Sequence, residues 1–61
     1  MKAGEVIKLI EKEGWQFIRQ SGSHKIFKKD GVSANVVVPD HGKKDLPMGT
    51  LRNILKTAGL K

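Results

Sequence analysis

Apolar residues recur at helical spacing in two stretches of the chain, one near each end. The first stretch predicts an amphipathic helix over Ala3 to Glu13, and Gly14 is the residue type that commonly ends a helix. The second stretch follows Leu46-Pro47, a pair that suits the approach to a helix because proline fits a first turn. Its apolar positions, at i, i+3, i+4 and i+7, are Leu51, Ile54, Leu55 and Ala58.

Three shorter stretches between the helices have the composition of β-strands. They run from Trp15 to Gln20, from His24 to Lys29 and from Ser33 to Pro39. The first two are joined by a predicted turn at Ser21-Gly22-Ser23, and Asp30-Gly31 is a hairpin signal before the third. The order α-β-β-β-α predicts one α+β domain over residues 1–61, in which two helices cover one face of a three-stranded antiparallel sheet.

The pleat of this sheet allows two choices of buried face. The preferred choice buries the strongest hydrophobic residues of the strands, which are Phe17, Phe27, Val36 and Val38. It places on the opposite face His24, Ile18, Ile26, Lys28 and Val37. The alternative buries Ile18 and Ile26 but also points His24 at the core. Trp15 is expected in the core rather than exposed as a stacking surface, because a domain this small has few aromatic residues to pack.

Charge is distributed unevenly along the chain. The net charge is +6, yet residues 1–14 are neutral, so the whole excess lies after Gly14. A positive field on part of a domain is typical of nucleic-acid binding, whereas a membrane surface fits less well because neither helix combines a basic face with aromatic anchors. The chain has no cysteine, which fits a cytoplasmic protein, and its two histidines lack partners for a structural metal site. No cofactor, metal or membrane span is expected.

His24 stands at the start of the second predicted strand within a basic stretch that has no carboxylate between Glu13 and Asp30. An imidazole titrates near neutral pH, and surrounding cations favour chemistry on a phosphate ester. An ordinary surface histidine in a basic domain is the competing interpretation, and on residue types alone it is the more common case.

Sequence motifs distinguish these interpretations better than composition does. The element order is similar to that of the double-stranded RNA-binding domain, and the motifs resemble the HicA toxin family over nearly the whole chain. The motifs are Gly14-Trp15, Arg19-Gln20-Ser21-Gly22-Ser23-His24-Lys25-Ile26-Phe27, Val38-Pro39 with His41-Gly42-Lys43, Gly49-Thr50-Leu51-Arg52-Asn53-Ile54-Leu55-Lys56 and Ala58-Gly59-Leu60. The chain departs from many relatives at Lys25 and Ile26, where they carry a second histidine or another polar residue.

This resemblance implies a toxin of a toxin–antitoxin pair with a fold like the double-stranded RNA-binding domain. It implies an mRNA-cleaving endoribonuclease with His24 as the catalytic residue, and a HicB-type antitoxin as partner. Attack by a ribose 2′-hydroxyl on the adjacent phosphate needs no metal, so His24 is predicted to act as general base or acid. The other proton carrier is left open among water, a lysine and His41, for which a solvated turn residue is the more common role.

The predicted RNA contacts lie on both sides of His24 and before the second helix. They are Ser23, Lys25, Lys28, Lys43 and Lys44. Lys43 and Lys44 are expected to hold phosphate, with a solvated charge pair as the alternative. Ser23 either orients the histidine or simply completes the turn. A noncatalytic RNA-binding module and a purely structural adaptor remain as competing functions.

Overall fold

The element order of the chain matches the sequence prediction. The computed structural model describes residues 1–60 and contains α1 (Ala3–Lys12), β1 (Gln16–Ser21), β2 (His24–Lys28), β3 (Val36–Pro39) and α2 (Met48–Thr57). The strands form one antiparallel sheet in the order β1-β2-β3, and both helices pack on the same face of it. The predicted α+β architecture is therefore confirmed.

The core lies between the helices and one face of the sheet. It contains Ala3, Val6 and Ile10 of α1, Phe27, Val36 and Val38 of the sheet, Ile54 of α2, and the flanking Trp15, Leu46 and Ala58. Phe27, Val36 and Val38 thus lie on the predicted buried face, while His24 is exposed. The alternative pleat, which points His24 at the core, is wrong.

Trp15 connects the ends of the two helices. Gly14 has a φ of 98°, and the N–H groups of Gly14 and Trp15 donate to the carbonyls of Glu11 and Ile10, which is the hydrogen-bond pattern of a Schellman cap. This cap turns the Trp15 ring into the core, where it is 2% exposed and its Nε1 donates to the carbonyl of Ala58 at 3.4 Å. The core interpretation of Trp15 is confirmed.

Phe17 lies on the predicted face of the sheet but is not buried. Its side chain is 52% exposed, and its ring packs edge-on against Phe27 with 5.8 Å between the ring centroids. The helices contact β3, whereas every residue of β1 is exposed, so the edge of the sheet that carries Phe17 extends past the helical layer. The prediction that Phe17 is a core residue is therefore wrong.

The third strand is shorter than the sequence pattern predicts. It begins at Val36, and residues 33–35 are irregular. Since β2 ends at Lys28, these residues have no partner strand, and the N–H of Val32 instead donates to the carbonyl of Lys29 across a turn with Gly31 at φ 82°. The other two strands differ from the prediction by one residue at their ends. Asp30-Gly31 therefore reverses the chain, but a seven-residue connection, 29–35, replaces the tight hairpin.

Candidate active site

His24 is presented by a two-residue hairpin turn. Ser21 and His24 are paired residues of β1 and β2, with only Gly22 and Ser23 between them. Gly22 has a φ of 59° while Ser23 does not have positive φ, which is the pattern of a type II′ turn with glycine at its first central position. The Gln20 side-chain amide donates to the carbonyl of Gly22 at 2.9 Å. This turn fixes the register of the hairpin, and the register places His24 on the face away from the helices.

A β-bulge at Ile18 brings Arg19 to the same face as His24. Phe17 pairs with Phe27 but Arg19 pairs with Ile26, so Ile18 is the extra residue of β1. In a regular ladder Arg19 would pair with Lys25 and face the helices. The bulge shifts it by one position, which places its exposed side chain beside Ile26 and diagonal to His24. Nothing in the spacing of apolar residues within β1 marks this bulge, so sequence reasoning did not place Arg19 on this face.

The surface opposite the helices, called here the open face, combines His24 with cations and apolar side chains. Its members are Gln16, Ile18, Arg19, Ser21, His24, Ile26, Lys28, Val37 and Pro39. Ile18 and Val37 are 46% and 45% exposed, and Ile26 is half-buried between neighbouring strands. Its cations, Arg19 and Lys28, both neighbour Ile26. Arg19 pairs with Ile26 across the strands, and Lys28 lies two residues farther along β2. The open face can therefore contact both an anionic polymer and an apolar protein surface.

Lys25 lies on the other face of the sheet and is occupied by an ion pair. Its ammonium is 2.7 Å from the Asp40 carboxylate, and Val38, its neighbour on β3, is fully buried on the helix-bearing face. The structure thus brings Lys28 to the open face with His24 and separates Lys25 from it. Sequence reasoning missed Asp40, although the Asp-x-Gly spacing of Asp40 and Gly42 is a turn signal.

The hydrogen bond from Lys25 is the main cause that lowers the pKa of Asp40 below its ordinary value of 3.8. A hydrogen bond from the backbone N–H of Gly42 to this carboxylate, 3.0 Å long, lowers the pKa further. Because the folded-state pKa is depressed, the stability from this contact is present above pH 3.8 and is lost as pH falls through the folded-state pKa. The pair is partly exposed to solvent, so its contribution to folding is small.

The basic loop that follows β3 leaves the sheet at the end where His24 lies. Pro39 pairs with His24, and the backbone N–H of Asp40 donates to the carbonyl of Ser23 at 2.7 Å. His41, Lys43 and Lys44 follow in exposed positions. The loop then reaches the N-terminus of α1, where the N–H of Leu46 donates to the carbonyl of Met1 at 2.8 Å.

His24 lies on an open surface and lines neither of the two clefts described here. One cleft, of about 260 Å³, lies on the helix-bearing side and is lined by Ile7, Glu11, Phe17, Gln20, Lys25 and Phe27. A second, of about 180 Å³, lies between the start of β3 and α2, and neither includes His24. Across residues 1–60, no three His, Cys, Asp or Glu side chains are grouped closely enough to ligate a metal ion. The two helices that this range contains are also too short and too polar to cross a bilayer.

Gly22→Ala tests the type II′ turn that precedes His24. There is space for a Cβ atom at Gly22, but its φ of 59° is unfavourable for an L-residue, so we expect the free energy of unfolding to fall by about 1–2 kcal/mol. The melting temperature should fall by about 5–10 °C. Gly4→Ala is the control, because Gly4 is helical with an ordinary φ and open space, and alanine favours helix. Equal stability of Gly22→Ala and the wild type would contradict the assigned turn.

The fold and the site define a class of protein: a small, basic α+β domain that carries an exposed histidine on an uncovered sheet face. Comparison with known proteins names the family. A family model described as HicA toxin of bacterial toxin–antitoxin matches residues 3–60. The chain is 36% identical to the protein named probable mRNA interferase HicA of Pseudomonas fluorescens (strain Pf0-1), over all of this chain and 98% of the relative. The chain therefore belongs to the HicA toxin family.

Proposed function

We propose that this protein is the toxin of a toxin–antitoxin pair and acts in the cytoplasm as an endoribonuclease on mRNA. Family membership supports the toxin role, and the relative's name, mRNA interferase, supports the substrate and the reaction class. The observation that carries the proposal is the placement of His24: exposed, at a turn-fixed strand end, on the face that also holds Arg19 and Lys28.

His24 serves in this proposal as general acid or base for attack of the ribose 2′-hydroxyl on the adjacent phosphate. An exposed imidazole on a flat surface is reachable by an extended RNA strand. Proton transfer by a positioned histidine typically raises a reaction rate by a factor of about 10²–10⁴. The reaction draws both nucleophile and leaving group from the RNA, so it needs no metal in principle, and we propose a metal-independent mechanism.

The proposed RNA contacts fall into two groups. The half-buried Ser23 precedes His24, and Lys28 lies on the same face at the other end of β2. Lys43 and Lys44 lie on the exposed loop that starts at the His24 end of the sheet. Positive charge in both groups favours binding of the phosphate backbone. Lys25 is also proposed as an RNA contact, but its ammonium must then leave Asp40 or reach RNA around the edge of the sheet.

Replacing Lys43 and Lys44 together by alanine should weaken RNA binding and reduce its dependence on salt. Each phosphate contact to single-stranded nucleic acid contributes about 0.7 to the slope of log K against log salt, so the slope should fall by about 1.4. Both side chains are exposed, so thermal stability should stay nearly unchanged. Titration of a fluorescent RNA at several salt concentrations measures the slope, and an unchanged slope would remove these lysines from the interface.

A HicB-type antitoxin is the proposed protein partner, and it covers the open face. Ile18, Ile26 and Val37 form an apolar area on the face of His24, which also carries Arg19 and Lys28. An acidic antitoxin with an apolar centre complements this surface and blocks access of RNA to His24. A complex in which His24 stays open to a nucleotide would argue against this mode of inhibition.

Incubation of the purified protein with an unstructured RNA, with and without a chelator, tests the proposed function. Cleavage that persists in chelator is expected. Binding without cleavage would favour the noncatalytic RNA-binding module, for which the uneven charge is the supporting observation. Absence of both binding and cleavage would overturn the proposal.

A further inference from the structure

The hydrogen-bond ladder between β2 and β3 continues past the last paired residue. His24 and Pro39 form a pair that exchanges no backbone hydrogen bonds with each other, which suits Pro39 because proline has no N–H. The next ladder bond runs from the Asp40 N–H to the Ser23 carbonyl at 2.7 Å. The backbone is therefore still in strand register at Asp40, one residue before His41.

The side chains of residues 38–40 also alternate between the two faces of the sheet, as they do in a strand. Val38 is buried beneath the helices, Pro39 lies opposite His24 on the open face, and the Asp40 carboxylate returns to the helix-bearing face, where it holds Lys25. Continued alternation gives His41 the same face as Pro39. His41 is then the diagonal neighbour of His24, and such neighbours typically have Cα atoms about 7–8 Å apart in antiparallel sheets.

Contacts of Asp40 stabilise the backbone on both sides of His41, since its N–H donates to the Ser23 carbonyl and its carboxylate accepts the N–H of Gly42. One oxygen pairs with Lys25 at 2.7 Å, and the other accepts the N–H of Gly42 at 3.0 Å. Gly42 has a φ of 71°, so the chain reverses only after His41. These contacts hold His41 at the end of the strand, so it is not simply one residue of a free loop.

We infer that His41 is the second proton carrier of the active site, positioned by Asp40. This inference rests on the proposed ribonuclease function and assigns a residue to the step that the sequence leaves open. Two imidazoles on one face can flank a single phosphodiester, one beside the attacking 2′-oxygen and the other beside the leaving 5′-oxygen.

The chemistry balances with these two groups and RNA alone. The neutral imidazole accepts the proton of the 2′-hydroxyl while the bond from O2′ to phosphorus forms. The bond from phosphorus to O5′ then breaks, and the other histidine, which begins as an imidazolium, donates its proton to O5′. The products are a 2′,3′-cyclic phosphate and a 5′-hydroxyl, and the two histidines have exchanged protonation states. Arg19, diagonal to His24 on the open face, and Lys43 and Lys44 on the loop supply positive charge near the phosphate. Lys28 lies farther along the open face, and Asp40 and Lys25 face the other side.

His41→Gln is the direct test, because glutamine keeps hydrogen-bonding capacity but does not carry a proton between pH 5 and 9. We expect kcat on an unstructured RNA to fall by about 10²-fold with RNA affinity nearly unchanged. The wild type should show a bell-shaped dependence of kcat on pH, and the variant should lose one limb of it. The 3′ ends of the wild-type fragments should carry a cyclic phosphate.

Asp40→Ala tests the positioning role through coupling. It should lower kcat about 10-fold in the wild-type background but by less than about 2-fold in the His41→Gln background, because it acts through His41. A merely structural role would lower kcat equally in both backgrounds. Asp30→Asn is the matched control for charge, since Asp30 is an exposed carboxylate in the turn after β2, and it should leave kcat unchanged.

The outcomes separate this inference from the proposed function. Full activity of His41→Gln, with loss of activity in His24→Ala, would overturn the role of His41 and leave the ribonuclease proposal standing. Fragments that end in a 3′-hydroxyl would likewise exclude the two-histidine step. Absence of cleavage by the wild type would overturn both.

Discussion

His24→Ala should remain folded, bind RNA nearly as well as the wild type and lose RNA cleavage. The side chain is exposed on the open face, so its truncation leaves no cavity in the core. Loss of a general acid or base lowers the rate by about 10²–10⁴, and this loss should fall on kcat rather than on affinity. Single-turnover cleavage of a labelled RNA, together with a binding titration, measures the two effects separately.

This experiment requires a control that the variant is folded. Circular dichroism and thermal unfolding of His24→Ala should match the wild type to within a few degrees. If the variant is folded and cleaves as fast as the wild type, His24 is an ordinary strand residue and the proposed active site is wrong. Growth inhibition on expression in cells should follow the cleavage rate, which links the chemistry to the toxin role.

The helices and the buried face were predictable because the residues that form them are local and unambiguous. Apolar positions at helical spacing define α1 and α2, and glycines end both helices. The pleat could be chosen because only one face collects Phe27, Val36 and Val38. These features depend on neighbours a few positions apart, which a single sequence displays directly.

Features that depend on the position of the helical layer were not predictable in the same way. Phe17 has the right parity for the core, but β1 extends past the helices, so the side chain stays exposed. The third strand was predicted to begin at Ser33, yet β2 ends before it can offer Ser33 a partner. Hydrophobic pattern specifies which face a residue occupies, whereas its burial depends on what lies above it.

The same distinction applies to the residues of the candidate site. His24 was found from its turn and its chemistry, because Gly22-Ser23 is a local hairpin signal. The arrival of Arg19 on the open face depends on an extra residue in β1, and the occupation of Lys25 by Asp40 depends on the pairing of β2 with β3. Both require the register between strands, which the sequence pattern left undetermined at these positions.

Val37→Asp should weaken binding of a HicB-type antitoxin by about 30-fold or more. Val37 is 45% exposed and pairs with Ile26, which lies on the central strand of the open face. Loss of a hot-spot contact in an interface costs about 2 kcal/mol or more. An acidic side chain adds repulsion toward an acidic partner. The cost to folding should stay near 1 kcal/mol because the site is half exposed. Calorimetry with purified antitoxin, in the absence of RNA, measures the affinity.

Met48→Asp provides the matched control for this substitution. Met48 is 67% exposed at the start of α2, outside the open face, so the same kind of change from apolar to acidic leaves the proposed interface intact. An acidic residue in the first turn of a helix is also favourable for the helix dipole, so the fold is not weakened. Antitoxin affinity should therefore stay near the wild-type value. If instead Met48→Asp loses binding while Val37→Asp keeps it, the antitoxin docks on the helical side and inhibits without covering His24.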